Sequence, residues 1–212
     1  MLPIATVNGQ QVDLFTTLIQ PNSYALLLYQ KVMNVSGYQG PPIYLFASYA
    51  IENAAAASKP IYQAFQPHMF SHFERYIVFN PNFMKHMEFS SGSEFTALAI
   101  LAHELGHHFY SHCDNVNPWL VSKHPWDKEI EADYYSGYVL AKLGATPSDL
   151  ETTQRLMFSM WDTSTHPDSF KRISSIVKGW KDGGGIGVAV DDLFSVYNKL
   201  NNELNRWNHL LL

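Results

Sequence analysis

The chain has 212 residues, of which 46% are hydrophobic, and this is enough for one domain with a complete core. Its formal net charge is −5 and its 14 lysines and arginines are scattered, which excludes the basic surface that binds nucleic acid. The single cysteine, Cys113, excludes an internal disulfide, and the N-terminal apolar runs are far short of the roughly 20 residues that span a membrane.

The first half of the chain predicts a mixture of helices and strands. Residues 13–35 are helix-prone but are interrupted by Pro21, which is expected to start a second helix. Residues 43–49 and 76–79 are rich in β-branched and aromatic side chains and predict strands. The four alanines between them, Ala54 to Ala57, are too short a run to assign.

Residues 93–112 predict a helix that carries a potential metal site. The segment lacks proline, and its apolar residues recur at three- and four-residue spacing. It contains the HExxH box His103-Glu104-Leu105-Gly106-His107, in which both imidazoles project from one helix face and Glu104 can reach a metal-bound water. A pair of surface histidines is the alternative, but the glutamate occupies the position that zinc hydrolysis requires. Gly106 also indicates that another segment passes close to this helix.

Residues 126–144 predict the next helix and supply a third candidate ligand. Catalytic zinc binds three protein ligands and keeps a fourth position open. Glu129 and Asp133 are four residues apart and therefore share a helix face, whereas Glu131 points elsewhere. We expect Glu129 to be the third ligand and Asp133 to hold a liganding imidazole through its other ring nitrogen. Outside this context, two such acids would be interpreted as solvated surface.

The rest of the chain predicts three more helices. Residues 148–161 and 168–181 form the first two, and the glycine-rich residues 183–187 are expected to be a linker. Residues 188–212 then predict a C-terminal amphipathic helix. We expect its apolar stripe to pack on its own domain, with homodimer formation or cover of the active-site cleft as alternatives. The predicted fold class is α+β, mainly helical, with a small β-sheet before the HExxH helix.

The HExxH box and its surroundings resemble a known family. The run from Ile100 to His112, followed by the run from Glu129 to Asp133, is similar to the M48 family of gluzincin metallopeptidases. Further matches are Asn53-Ala54, the segment from Arg75 to Pro81, and Thr165-His166-Pro167 with Arg172-Ile173. The resemblance spans roughly residues 43–181, within an expected domain of residues 1–182. Many members of the family carry transmembrane helices, and here this chain departs from them.

The resemblance implies a zincin-like domain that binds one Zn²⁺ per chain. The ligands would be His103, His107 and Glu129, with Asp133 orienting one of the imidazoles. Glu104 would act as the general base on the zinc-bound water.

The resemblance also places further residues near the metal. His166 or Arg172 would stabilise the oxyanion of the reaction. His166 could alternatively occupy the open zinc position and keep the enzyme latent, and Arg172 could pair with an acid near the site. The substrate would bind as an added strand beside Asn53 and Ala54.

The expected function is a zinc endopeptidase that acts on extended or unfolded protein segments. The alternatives are a metal-binding but catalytically silent domain and a different zinc hydrolase, such as an aminopeptidase or amidase. We expect a protein or peptide substrate and a cytoplasmic location, since no lysine or arginine precedes Lys31, although an exported mature chain would start in the same way. His108 and His112 are expected to project away from the metal. Cys113 is expected to be a small buried hydrophobe rather than an inhibitory thiolate.

Overall fold

Six α-helices and two small β-sheets form an α+β fold in the part of the chain that the structure, a computed structural model, describes. That part comprises residues 4–7, 10–64, 66–114, 123–159 and 169–187. In chain order the elements are β1 (Ile4–Val7), β2 (Gln10–Asp13), a 3₁₀ turn (Leu14–Thr16), α1 (Ser23–Val35), β3 (Ile43–Ala47), β4 (Ala54–Gln63), β5 (Gln66–Phe79), α2 (Pro81–Ser91), α3 (Glu94–Phe109), α4 (Pro125–Lys142), α5 (Pro147–Ser159) and α6 (Ser169–Asp182). The predicted helix over residues 188–212 lies outside the described residues. None of the described helices has the length and apolar character needed to cross a membrane.

The larger sheet contains three strands in the order β3-β5-β4. β3 runs parallel to β5, and β4 runs antiparallel to β5 with Ala54 opposite Phe79. Among the described strands, β4 therefore forms one edge of this sheet. One face of the sheet packs against the main core, which includes Ala54 and Ile77, and the other face packs against Leu14.

β4 and β5 are longer than the sequence predicted. The alanines from Ala54 to Ala57, left unassigned from the sequence, begin a ten-residue strand, and β5 starts at Gln66 instead of Tyr76. Alanine has a weak intrinsic preference for strands, so β4 depends on its pairing with β5. Small side chains suit this position because Ala54 and Ala57 are buried on opposite faces of the sheet.

The helix expected from Pro21 starts two residues later than predicted, and the helix-prone residues before Pro21 form only the 3₁₀ turn Leu14–Thr16 instead of an α-helix. α1 begins at Ser23 rather than at Pro21, because the Asn22 side chain caps it by accepting a hydrogen bond from the Ala25 N–H at 2.8 Å. The β1–β2 hairpin before it was not predicted, since its strands have only four residues each.

α3 is the central helix, and the HExxH box therefore lies in the interior. Ser93 caps its first turn by accepting a hydrogen bond from the Phe95 N–H at 3.2 Å. Every residue from Thr96 to Gly106 is buried, which is typical of a helix inside a core rather than at its surface. The helix was predicted to reach His112 but ends at Phe109.

Three glycines bring α3, α4 and α6 into close contact. A methyl group at Gly106 of α3 would lie 3.0 Å from the Ala132 Cα atom, which confirms that another segment passes close to this glycine. A methyl group at Gly137 of α4 would lie 1.9 Å from the Ile176 carbonyl oxygen, and Gly179 of α6 makes a similar contact in return. The backbones of α4 and α6 therefore touch, and this contact sets the distance between the side chains that the two helices carry.

We expect Gly137→Ala to destabilise the fold by at least about 2 kcal/mol, because the added methyl group must push α4 and α6 apart. Without such a contact, the same substitution would stabilise a helix by about 1 kcal/mol, so the sign of the change is informative. Denaturant unfolding followed by circular dichroism measures it. Gly106→Ala is the control, with a smaller loss expected at its 3.0 Å contact. Unchanged or increased stability of Gly137→Ala would contradict the backbone contact.

Candidate metal centre

Two imidazoles from α3 and one carboxylate from α4 converge on a single point. The Nε2 atoms of His103 and His107 lie 3.2 Å apart. The Glu129 carboxylate lies 3.3 Å from His103 Nε2 and 3.5 Å from His107 Nε2. Ligand atoms of the three residues all lie within 4.8 Å of one another, and the triad is thus a possible metal-binding site.

The chemistry and spacing of these donors fit a zinc ion. Imidazole nitrogen and carboxylate oxygen are common ligands of catalytic zinc. Ligand atoms about 2.0–2.1 Å from a tetrahedral zinc lie roughly 3.3–3.4 Å from one another. The 3.2 Å between the two Nε2 atoms and the 3.3 Å from His103 Nε2 to Glu129 Oε2 match this separation, and the 3.5 Å from His107 Nε2 runs to the other oxygen of Glu129, Oε1.

Glu129 reaches the imidazoles because α4 passes close to α3. The close contact between Gly106 and Ala132 lies one helical turn from Glu129. Burial opposes ionisation of Glu129, but the two imidazoles and the Arg172 guanidinium outweigh it and hold the pKa of this carboxyl far below its usual range. The third donor is therefore an anion in the folded protein.

His103 is held from behind by a buried ion pair. Its Nδ1 atom lies 2.9 Å from Oδ1 of Asp133, as the spacing of Asp133 and Glu129 predicted. Asp133 has no exposed surface and accepts two hydrogen bonds from Arg172, from Nε at 2.7 Å and from Nη2 at 2.9 Å. Burial alone would raise the pKa of Asp133, but Arg172 and His103 lower it below its usual value. Arg172 therefore pairs with an acid near the site, one of the two roles expected for it.

The two box imidazoles differ in their preferred charge in the metal-free protein. Burial opposes a charge on His103, but its bonds with Asp133 and Glu129 prevail and raise its pKa to about 10. Burial lowers the pKa of His107 to about 3, and the neighbouring His103 adds to this effect. The acids beside His103 therefore favour a positive charge on that ring, whereas burial favours the neutral form of His107.

Glu104 lies beside the triad as a buried carboxyl. It is only 6% exposed, and this burial raises its pKa to about 7, opposed in part by His103. The backbone N–H of Ala56 donates a hydrogen bond to it. A carboxyl with a pKa near neutrality can both accept and release a proton at physiological pH. The sequence did not reveal the contribution of Ala56, which is made by the backbone.

The outer edge of β4 faces this site. The Asn53 carbonyl accepts a hydrogen bond from the Asn80 N–H at 2.7 Å. In an antiparallel pair, successive residues alternate between bonding the neighbouring strand and pointing away from it. The N–H and C=O groups of residues 54 and 56 therefore point away from β5. The backbone of Pro60 also points away from β5, so the N–H group that proline lacks would not have bonded to β5. At residue 56 the outward groups contact Glu104 and the Cys113 thiol.

Cys113 is a protonated thiol in this environment. Its Sγ atom donates to the Ala56 carbonyl at 3.5 Å, and burial raises the pKa of the thiol to about 12. The side chain is half-buried rather than fully buried as expected, and the raised pKa argues against an inhibitory thiolate.

The expectation that His112 projects away from the metal pair is wrong. It assumed that the helix continues to residue 112, whereas α3 ends at Phe109 and Ser111 adopts a left-handed backbone with φ of 57°. The chain therefore turns back, and His112 Nδ1 lies 3.1 Å from His107 Nδ1. Its Nε2 lies 2.8 Å from Glu131 Oε2. A histidine five residues after the box was the only signal of this contact in the sequence.

The other sequence candidates lie further from the triad or outside the described residues. His108 Nε2 lies 2.9 Å from the Tyr76 carbonyl oxygen and points away from the triad, as expected. His166 lies in residues 160–168, which the structure does not describe. Asn53 precedes the edge strand and Ala54 begins it, and Ala54 is one of the two outward-facing neighbours of Ala56 along the strand.

A scan against protein-family models, a search of curated proteins and a search of solved structures each found no match. The evidence for a metal centre therefore comes from the chain itself. It consists of the convergent donor atoms and of the buried groups that hold them.

We expect Arg172→Ala to destabilise the protein by about 3–5 kcal/mol, because it takes from the buried Asp133 charge the guanidinium that donates two hydrogen bonds to it. Lys31→Ala, which removes a partly exposed pair with Glu94, is the control and should cost less than about 1 kcal/mol. Denaturant unfolding at pH 7 measures both.

We also expect the difference in stability between the wild-type protein and Arg172→Ala to depend on pH. The wild-type pKa of Asp133 is lowered, so its contribution to stability is present above the unfolded pKa of about 3.9 and is lost as the pH falls further. In Arg172→Ala, burial without the guanidinium favours the protonated acid. The stability gap between the two proteins should therefore narrow in acid, and a gap independent of pH would contradict the pairing.

Proposed function

We propose that the chain is a zinc-dependent endopeptidase with a zincin-like domain similar to that of the M48 family. The observation that carries this proposal is the convergence of donors from His103, His107 and Glu129, with 3.2 Å between the two Nε2 atoms and a Glu129 oxygen 3.3 Å from His103 Nε2, which suits tetrahedral zinc. The buried Glu104 next to His103 supports a catalytic site over a purely structural one, because a structural zinc needs no acid beside its ligands.

Each residue of the site has a chemical role in this proposal. A bound Zn²⁺ would lower the pKa of its water towards about 7 and polarise the substrate carbonyl. Glu104 would serve as the base that takes a proton from the attacking water and as the acid that returns it to the leaving nitrogen. Asp133 accepts the Nδ1 proton of His103, which would leave the Nε2 lone pair of that ring free to hold the zinc ion.

Of the two residues expected to stabilise the oxyanion, Arg172 and His166, we retain only His166 in that role. Arg172 donates two hydrogen bonds to Asp133, so we assign it to hold the Asp133–His103 pair rather than to contact substrate. His166 remains the proposed oxyanion donor or latent fourth ligand, and the resemblance of the Thr165-His166-Pro167 segment is its support.

The substrate is proposed to bind as an additional strand on the outer edge of β4. The backbone of Ala54 faces that edge, next to the Ala56 N–H that contacts Glu104. Asn53 directs its carbonyl to β5 and contributes by starting the strand. Edge pairing recognises the backbone more than the side chains, so it suits extended protein segments of varied sequence.

We expect the purified protein to bind one zinc ion and to cleave unfolded casein, and Glu104→Gln to lose about 10²–10⁴-fold in turnover. Its zinc content should equal that of wild type, since Glu104 is not a ligand. Metal analysis and peptide release measure the two effects, with Glu88→Gln as a control on α2, where Glu88 accepts a hydrogen bond from Tyr24 and not from a residue of the triad.

Each other result has a clear meaning. Wild-type turnover in Glu104→Gln would reject the mechanism. Zinc binding with no turnover in the wild-type protein would favour the silent metal-binding domain. Cleavage confined to the first residue of a peptide would favour an aminopeptidase.

If the substrate pairs with the edge of β4, every second backbone N–H of the substrate should contribute to binding. Replacing one backbone amide of a peptide by an ester removes an N–H donor, and each lost bond should raise KM by roughly threefold to tenfold. Only alternate positions should respond, because successive backbone groups of a strand face opposite edges. The unaffected positions are the internal control, and an equal effect at all positions would contradict strand addition at β4.

A further inference from the structure

We propose that His112 and Glu131 form a relay that orients His107 for metal binding. This relay is separate from the Asp133–Arg172 pair that holds His103. The inference rests on the proposed metal centre and concerns how its second imidazole is held. Its basis is the pair of contacts that His112 makes, with His107 on one side and with Glu131 on the other.

The metal fixes the position of each proton along the relay. Two ring nitrogens 3.1 Å apart, Nδ1 of His107 and Nδ1 of His112, need one proton between them to form a hydrogen bond. When His107 presents Nε2 to a metal, its proton is on Nδ1, and His112 Nδ1 must accept it. The proton of His112 is then on Nε2, which donates to Glu131 Oε2 at 2.8 Å. One set of tautomers therefore satisfies both contacts together with metal binding.

The turn that carries His112 is held in place by the body of the protein. The His112 N–H donates to the His107 carbonyl at 2.7 Å, which closes the turn after α3. Arg75 donates to the His108 carbonyl at 3.3 Å and forms a buried ion pair with Asp114. Both ends of the turn are thus anchored to β5, and the His112 ring is positioned by more than its own two contacts.

The left-handed conformation of Ser111 is further evidence that the turn serves a purpose. A non-glycine residue rarely adopts φ near 57°, and such strain persists where the surroundings enforce it. Here the strained residue directs the next side chain, His112, back towards His107. The same segment in an extended or helical conformation would not make this contact.

Different acidic residues of α4 support the two imidazoles of the box. Glu129 and Asp133 share the face that meets α3, and Asp133 serves His103. Glu131, two residues from each, points to a different side of the helix. There it contacts both His112 and Lys123, and the lysine holds its charge in place. A separate acid is thereby available for the second imidazole.

The test measures zinc affinity by competition with a chelating dye, a readout that does not depend on catalysis. We expect His112→Ala to weaken zinc binding about 10–100-fold, the range typical for loss of a group that orients a ligand. His112→Asn should recover part of the loss, because its amide oxygen can accept the Nδ1 proton of His107. Cys113→Ala, which alters the neighbouring residue without touching His107, is the control and should bind as wild type.

Two further measurements keep the test decisive. If His112→Ala does not fold, Glu131→Ala removes a partly exposed side chain and should still weaken zinc binding, by a smaller factor than His112→Ala. In the zinc-loaded protein, long-range ¹H–¹⁵N correlation spectra should show the proton of His107 on Nδ1 and that of His112 on Nε2.

The outcomes separate the relay from the metal centre. Wild-type zinc affinity in His112→Ala, or a proton on Nδ1 of His112, would overturn the relay and leave the metal centre intact. Failure of the wild-type protein to bind zinc at micromolar concentration would overturn both. Equal weakening in Cys113→Ala would show that the turn, and not the His112 ring, is responsible, and would also overturn the relay.

Discussion

A single buried carboxylate, that of Asp133, connects the three helices on which the site depends. It belongs to α4, contacts His103 of α3 and accepts two hydrogen bonds from Arg172 of α6. A charge with no exposure to water is tolerated only when its partners are complete, so the three groups stabilise the fold together or not at all. The glycine contacts let the helix backbones approach, and Asp133 then fixes their register. Glu129, one turn earlier on α4, acquires its position opposite the imidazoles from the same constraint.

Two carboxyl groups near one point have opposite properties because their surroundings differ. Glu104 is 6% exposed, and burial raises its pKa to about 7 although His103 opposes this shift. Glu129 meets two imidazoles and lies 3.8 Å from Arg172, and these groups lower its pKa in spite of burial. Groups whose pKa values are driven apart in this way suit different tasks. One carboxyl is prepared to exchange a proton, and the other remains an anion that can hold a cation.

The sequence predicted the parts of the molecule that local patterns determine. Periodicity located α3 and α4, and helix geometry predicted that Asp133 contacts one of the two box imidazoles, which in the structure is His103. β4 could not be predicted, because a run of alanines becomes a strand only through its pairing with β5. The contact of His112 could not be predicted either. It depends on a left-handed turn at Ser111, and serine carries no strong signal for that conformation.

The register of the sheet is itself part of the site. The register of β4 on β5 directs the Ala56 N–H towards Glu104. The same register places the side chains of Ala54 and Ala57 on opposite faces of the sheet, where both are buried. A slip of one residue would turn the Ala56 N–H towards β5 and exchange the two faces of the strand. The contact with Glu104 and the packing of the core would then be lost together. A larger side chain in place of Ala54, which faces the core that contains α3, would hold α3 away from β4 and lengthen the same contact. The weak strand preference of this segment is therefore a consequence of what it does, since a close approach of backbone to carboxyl requires small residues here.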